Sequence, residues 1–139
     1  MFQQVLSNLN WLHILVATVA YFALGALWYG PLFSKAWIKG HKVNVNDPEM
    51  KKGVAAIMIG SFIFFFIITT ALAVIYRLTP ISETMHAIKF GLFFGVGFAV
   101  PIISINSLYL KKPFSIHLID GLYHVVGMTI ASLILVLWK

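Results

Sequence analysis

The side chains best suited to chemistry lie close together near the C-terminus: His117, Asp120 and His124, spaced three and four apart. On an α-helix that spacing places all three on one face, together with Gly121, Met128 and Ala131. Two imidazoles and a carboxylate can exchange protons, hold hydrogen bonds or offer three ligands to a metal ion. The sequence contains no cysteine, which excludes zinc–thiolate, iron–sulfur and disulfide chemistry. It also has no His-Glu-x-x-His, Gly-x-Ser-x-Gly or phosphate-loop motif. With one carboxylate in any apolar run, paired-acid catalysis is out of reach, so neither an enzymatic activity nor a cofactor is expected.

The segment carrying these residues is apolar, and three similar segments precede it. The four predicted helices cover about 10–33, 48–76, 87–110 and 114–138. Hydrophobic residues make up 60% of the chain and charged residues 10%, with a mean hydropathy of +0.93, a balance that no soluble core of this size requires. The bilayer is therefore the solvent. Each apolar run holds about 24 residues, some 36 Å as a helix, enough to cross a hydrocarbon core of about 30 Å. Stretches such as Phe62 to Ile68 lack the alternation of a β-barrel strand. The expected fold is an all-α membrane protein, a single domain with four transmembrane helices in an up-down bundle and short loops. The first run has no basic residue before it and ends in Trp28, Tyr29 and Gly30, unlike a cleaved signal, so it is expected to stay in the mature protein.

The ends of the runs carry their own signals. Asp47, Pro48 and Glu49 read as the cap and first turn of helix 2, and Lys111, Lys112 and Pro113 as a tight turn between helices 3 and 4. Between helices 1 and 2, Pro31, Trp37, Ile38 and nearby lysines form either a segment lying on the membrane surface or a solvated loop. The net charge of +6 sits mostly in such connections, where the lipid bilayer is the nearest partner, and no nucleic acid is expected.

In lipid, small residues at helical spacing mark close helix packing. Ala56 and Gly60 form one such pair, and Gly91 and Gly95 another, whose stripe extends through Ala99 and Ile102 to Asn106. Pro101 interrupts that helix and predicts a kink near Gly95 and Gly97.

An ionisable group inside a span costs at least about 2.5 kcal/mol and must face the bundle interior with a partner. Counting about 1.5 Å per residue puts Asp120 about 9 Å from the midplane and His124 about 3 Å from it, with His117 near the interface. A tight hairpin brings Asn106 to the depth of Asp120, and Trp28 and Tyr29 lie about 10 Å from the midplane on the same side. These residues, with Ser61 as a further candidate and His124 above them, form a polar layer. It serves as a hydrogen-bonded lock, an ion or proton path through Asp120 and His124, or a metal site of His117, Asp120 and His124. The lock is the reading preferred from the sequence, and the transport or channel role is its main rival. The first predicts a dry layer with an outward face, such as Phe64 to Phe66, for a partner membrane protein. The second predicts a hydrated cavity reaching Asp120 from the cytoplasm and calls for a homo-oligomer, because four helices make a thin wall.

Asn10-Trp11-Leu12, Leu24 to Phe33 with its Trp28-Tyr29-Gly30-Pro31 core, and Lys35-Ala36-Trp37 resemble the opening of the bacterial family called domain of unknown function 1761. Asn106, Lys112-Pro113, Leu118-Ile119-Asp120-Gly121 and Tyr123 resemble its later motif. The resemblance implies a four-helix protein of the bacterial inner membrane, brings no activity with it, and adds Tyr123 to the layer. His117 and His124 lie outside its motifs.

Lys35, Lys39, Lys42, Lys51, Lys52, Lys111 and Lys112 fall on one side of the membrane, against Arg77, Lys89 and Lys139 on the other. The positive-inside rule then places both termini in the periplasm. A reporter fused after Lys139 is expected to read periplasmic and one inserted near Asn44 cytoplasmic; the reverse pattern overturns this orientation.

Overall fold

Asn10 starts the first long helix: its side-chain oxygen accepts the backbone N–H of His13 at 3.2 Å, satisfying one of the free donors of the first turn. The computed structural model describes residues 1–138; Lys139, counted above among the outer basic residues, lies outside them. A short helix, α1 (Phe2–Ser7), precedes α2 (Trp11–Leu27), which continues through a π turn at Trp28–Leu32. Then come α3 (Ser34–His41), a 3-10 turn (Pro48–Lys51) and α4 (Val54–Leu78). The third span is α5 (Thr84–Phe94), a π turn (Gly95–Ala99) and α6 (Val100–Tyr109), and the fourth is α7 (Phe114–Leu137). Among the described residues there is no strand, and four helices are long and apolar enough to cross a membrane: Trp11–Leu32, Val54–Leu78, Thr84–Tyr109 and Phe114–Leu137. This is the all-α, four-helix architecture expected from the sequence.

Successive spans run antiparallel, and α7 is the axis on which the others pack. Half of its apolar window is buried, against 22% or less in the other three spans. Gly91 of α5 lies against the backbone of Thr129, Gly95 against that of Val125, and Gly121 against the side chain of Val100. On the other side of α7, the ring of Tyr21 occupies the space that a side chain at Gly127 would need. Missing Cβ atoms thus let α5 and α2 close on α7, giving dispersion contacts that lipid cannot match. Two polar pairs add to this: Thr18 and Thr69 join their hydroxyls at 2.6 Å, and Tyr76 donates to Ser132.

Three features of these elements differ from the sequence reading. Asp47 does cap a turn, accepting from the N–H of Glu49 at 3.0 Å, but that turn is 3-10 and stops before Gly53. Gly53, with a φ of 70°, sets the chain in the left-handed region, and the second span starts after it at Val54 rather than at Pro48. The connection after the first span is helical, and Gly40 of α3 admits the side chain of Ile116, which docks this helix on the start of α7. Third, the packing face of the third span does not follow a straight α-helical stripe. The π turn before Pro101 closes with the N–H of Val100 donating to the carbonyl of Gly95, which inserts one residue into the turn. The inner face therefore passes from Gly95 to Val100 and on to Ser107, which is 5% exposed, while Ile102 is 65% exposed. Asn106 is exposed, turned off that face and toward a neighbouring cleft.

Ala56 and Gly60, read as a packing pair, meet no other helix of the chain: Ala56 is exposed and a side chain at Gly60 would meet open space. The reason is that α4 packs only from Phe62 onward, where Phe62 and Phe65 meet rings of the first span and Thr69, Leu72, Ala73 and Tyr76 are buried. Of Phe64 to Phe66, only Phe64 points outward; Phe65 stacks on Tyr21 at 4.6 Å and Phe66 on Trp11 at 6.2 Å. Replacing Gly91 or Gly95 by leucine is expected to cost at least about 1–3 kcal/mol, seen as a lower unfolding temperature in detergent, because the new side chain collides with α7 backbone. Leucine at Gly60 is the control and should leave that temperature unchanged.

Candidate functional site

The polar layer begins with a proline. Pro31 has no N–H to donate, and in an α-helix its ring would press on the carbonyl of Leu27. The wider π turn relieves this, closing with the N–H of Phe33 on the carbonyl of Trp28 at 2.9 Å. Adjacent residues on a straight helix point about 100° apart. Here Trp28 and Tyr29 both reach α7: the indole N–H donates to the carbonyl of Ile119 at 2.9 Å, and the Tyr29 hydroxyl to Oδ1 of Asp120 at 2.8 Å.

Asp120 is held by few other groups. Its Oδ2 accepts no hydrogen bond among the described residues, and Nε2 of His41 lies 3.6 Å away, longer than a hydrogen bond but within ion-pair range when the imidazole is protonated. That Nε2 is buried without a hydrogen-bond partner. Trp37 packs over the His41 ring at 4.4 Å and edge-on to Tyr29 at 6.1 Å. One turn further along α7, His124 is joined through Nδ1 to the hydroxyl of Tyr21 at 2.6 Å. Tyr123 is buried and donates to the carbonyl of Tyr21 at 2.9 Å.

Asp120, His124, Tyr29 and His41 share one wall of a cleft of about 1080 Å³. Its sides are the first half of α4, with Ile57, Met58, Ser61 and Phe65, and the face of α6 that carries Ile102, Ile103 and Asn106. Lys112 lies at the end nearest the turn between the third and fourth spans. Because Val54 to Ile59 are all exposed, the second span stands away from the third there and the cleft opens sideways.

Of the residues expected in the layer, Trp28, Tyr29, Asp120, Tyr123 and His124 come together. Asn106 lines the cleft but shares no side-chain hydrogen bond with Asp120 among the described residues; the π turn in the third span has rotated it away. Ser61 is a cleft residue too. His117 stays with the ring of Phe114, 6.2 Å between centroids, and His117, Asp120 and His124 do not converge as metal ligands among the described residues. Sequence reasoning missed Tyr21 and His41. Tyr21 precedes Gly25 and Trp28 by four and seven residues, one helical face, a signal that was there to use. His41 belongs to a hydrophilic connection, and only the docking of α3 brings it to Asp120.

The family model described as Protein of unknown function (DUF1761) matches residues 12–136. The chain belongs to that family. No curated protein and no solved structure matches this DUF1761 chain at a significant level. The match spans both the Trp28 to Pro31 segment and the Ile119 to Tyr123 segment, which the fold joins into a single layer.

A half-buried carboxylate that loses its donor suffers more than a lost neutral bond, so Tyr29→Phe is expected to destabilise the protein by about 1–3 kcal/mol. Trp28→Phe, which removes a second donor from a carbonyl inside α7, should cost about 1 kcal/mol. Tyr109→Phe, at a side chain 85% exposed, should cost nothing. Unfolding of the three variants in micelles checks this order.

Proposed function

We propose that this chain is a bacterial inner-membrane binding protein that takes a small ligand into the cleft at Asp120, in the manner of a transporter or carrier and not as an enzyme. One observation supports this above all others. An ionisable group inside a membrane span, one-fifth exposed, faces a large cleft and has an oxygen to spare. A layer that served only to lock the bundle would be dry and fully bonded. Trp28 and Tyr29 do tie α2 to α7, but their bonds use only one oxygen of Asp120. The connection that holds α3 and the turn at Lys112 lie at the same end of the bundle, so the positive-inside reading makes the cleft open toward the cytoplasmic leaflet, with both termini periplasmic.

Because the chain has no cysteine, single thiols can report on the cleft without background. A thiolate attacks a charged methanethiosulfonate, expelling methanesulfinate, only where water and the reagent reach it. Ser61→Cys and Asn106→Cys are expected to react readily, while Ser132→Cys, in the buried core, and Ile63→Cys, on the lipid side, stay inert. Equal inertness of all four variants would show a dry cleft and sink the proposal.

A further inference from the structure

We infer that the ligand of this cleft is a zwitterionic phospholipid with an ammonium headgroup. The ammonium meets Asp120, the phosphate meets Lys112, and the acyl chains leave through the gap between the second and third spans. This rests on the reading of the cleft as a binding site and specifies what it binds.

Three independent features define the shape and charge of that ligand. The first is the inner end. Oδ2 of Asp120 and Nε2 of His41 face each other at 3.6 Å without a hydrogen bond to either. An ammonium offers three donors on one atom, and one of them can reach the unused oxygen of Asp120 from the cleft. Tyr29, Trp37, Phe65 and Tyr123 line the same cleft, and aromatic rings attract cations. An anionic headgroup would instead meet the carboxylate in a medium that screens little.

The second feature is Lys112. It lines the mouth and makes no ion pair among the described residues. From the start of α7 at Phe114 to Asp120 the axial rise is about 9 Å, so a flexible lysine can close on a phosphate whose ammonium lies deeper. A carboxylate within and an ammonium at the rim mirror a headgroup with its ammonium inward and its phosphate outward.

The third feature is the side opening. Ile57 and Met58 on one edge and Ile102 on the other are 48–65% exposed, and they border a passage from the polar end directly into the hydrocarbon. A water-soluble amine needs no such passage, whereas a lipid needs it for its chains.

The test uses the full chain, stripped of lipid and returned to micelles holding equal amounts of phosphatidylethanolamine and phosphatidylglycerol, with bound lipid counted by native mass spectrometry. Wild type should retain the amine lipid about tenfold over the glycerol lipid, the discrimination of one charge-assisted contact. Asp120→Asn, which keeps shape and most hydrogen bonding, should bring the ratio near one, and Lys112→Gln, at the rim, should lower retention of both lipids. No preference in wild type, or a preference unchanged in a folded Asp120→Asn, overturns the inference. Ser61→Phe, which narrows the cleft, separates the two levels of the argument. If it reduces retention of two equally bound lipids, the cleft binds lipid but the ammonium assignment is wrong. If it changes neither lipid, the binding reading falls as well. Methylammonium bound by a protein that retains neither lipid overturns the phospholipid in favour of a soluble cation.

Discussion

A proline inside a membrane span leaves its helix with a missing bond and a steric clash, and no water is at hand to repair either. Both prolines within spans of this chain are accommodated in the same way, by a π turn that includes or just precedes them. Each wide turn advances the side-chain register by one residue, and the rest of the architecture follows from where that register lands. At Pro31 the advance brings Trp28 and Tyr29 to one partner helix. Before Pro101 it carries the packing face from Gly95 to Val100 and Ser107 and turns Asn106 toward the cleft. The first shift builds the polar layer; the second keeps it from being sealed by an amide from the third span.

The number, type and rough limits of the spans were legible because hydropathy alone decides them. The same holds for the close approach at Gly91 and Gly95, which lies upstream of the irregular turn where α-helical periodicity still holds. Legibility stops at the π turn. Asn106 and Ile102 were placed on the inner face by counting in threes and fours, and one inserted residue defeats that count. Depth is a coarser quantity than facing direction and survives the insertion, which is why Asn106 borders the same cleft as Asp120 without touching it. Ala56 and Gly60 failed for another reason. Spacing shows that a helix can be approached closely, not that another helix comes.

His41 marks a different limit. It lies in a lysine-rich connection that any hydropathy scale assigns to water, and its place beside Asp120 depends on Gly40 accepting Ile116. Two residues remote in sequence decide where a third one sits. The polar interior of this protein is thus drawn from a loop as well as from spans. Toward the opposite end the bundle is closed by its own hydroxyls, with Thr18 on Thr69 and Tyr76 on Ser132, pairs that use small polar side chains where charge would be costly.

Those hydroxyl pairs hold α4 at one end only. In mechanical terms the helix is a cantilever, clamped from Phe62 to Tyr76 and unsupported toward Val54. The free arm, about eight residues, is about 12 Å long, so a tilt of about 10° at the clamp moves its tip by about 2 Å. Such a tilt leaves the clamp bonded and changes the width of the side opening directly. Stiffness of the surrounding bilayer, rather than contacts within the protein, then sets the resting position of the arm. The same chain would present a wider or narrower slot in membranes of different thickness.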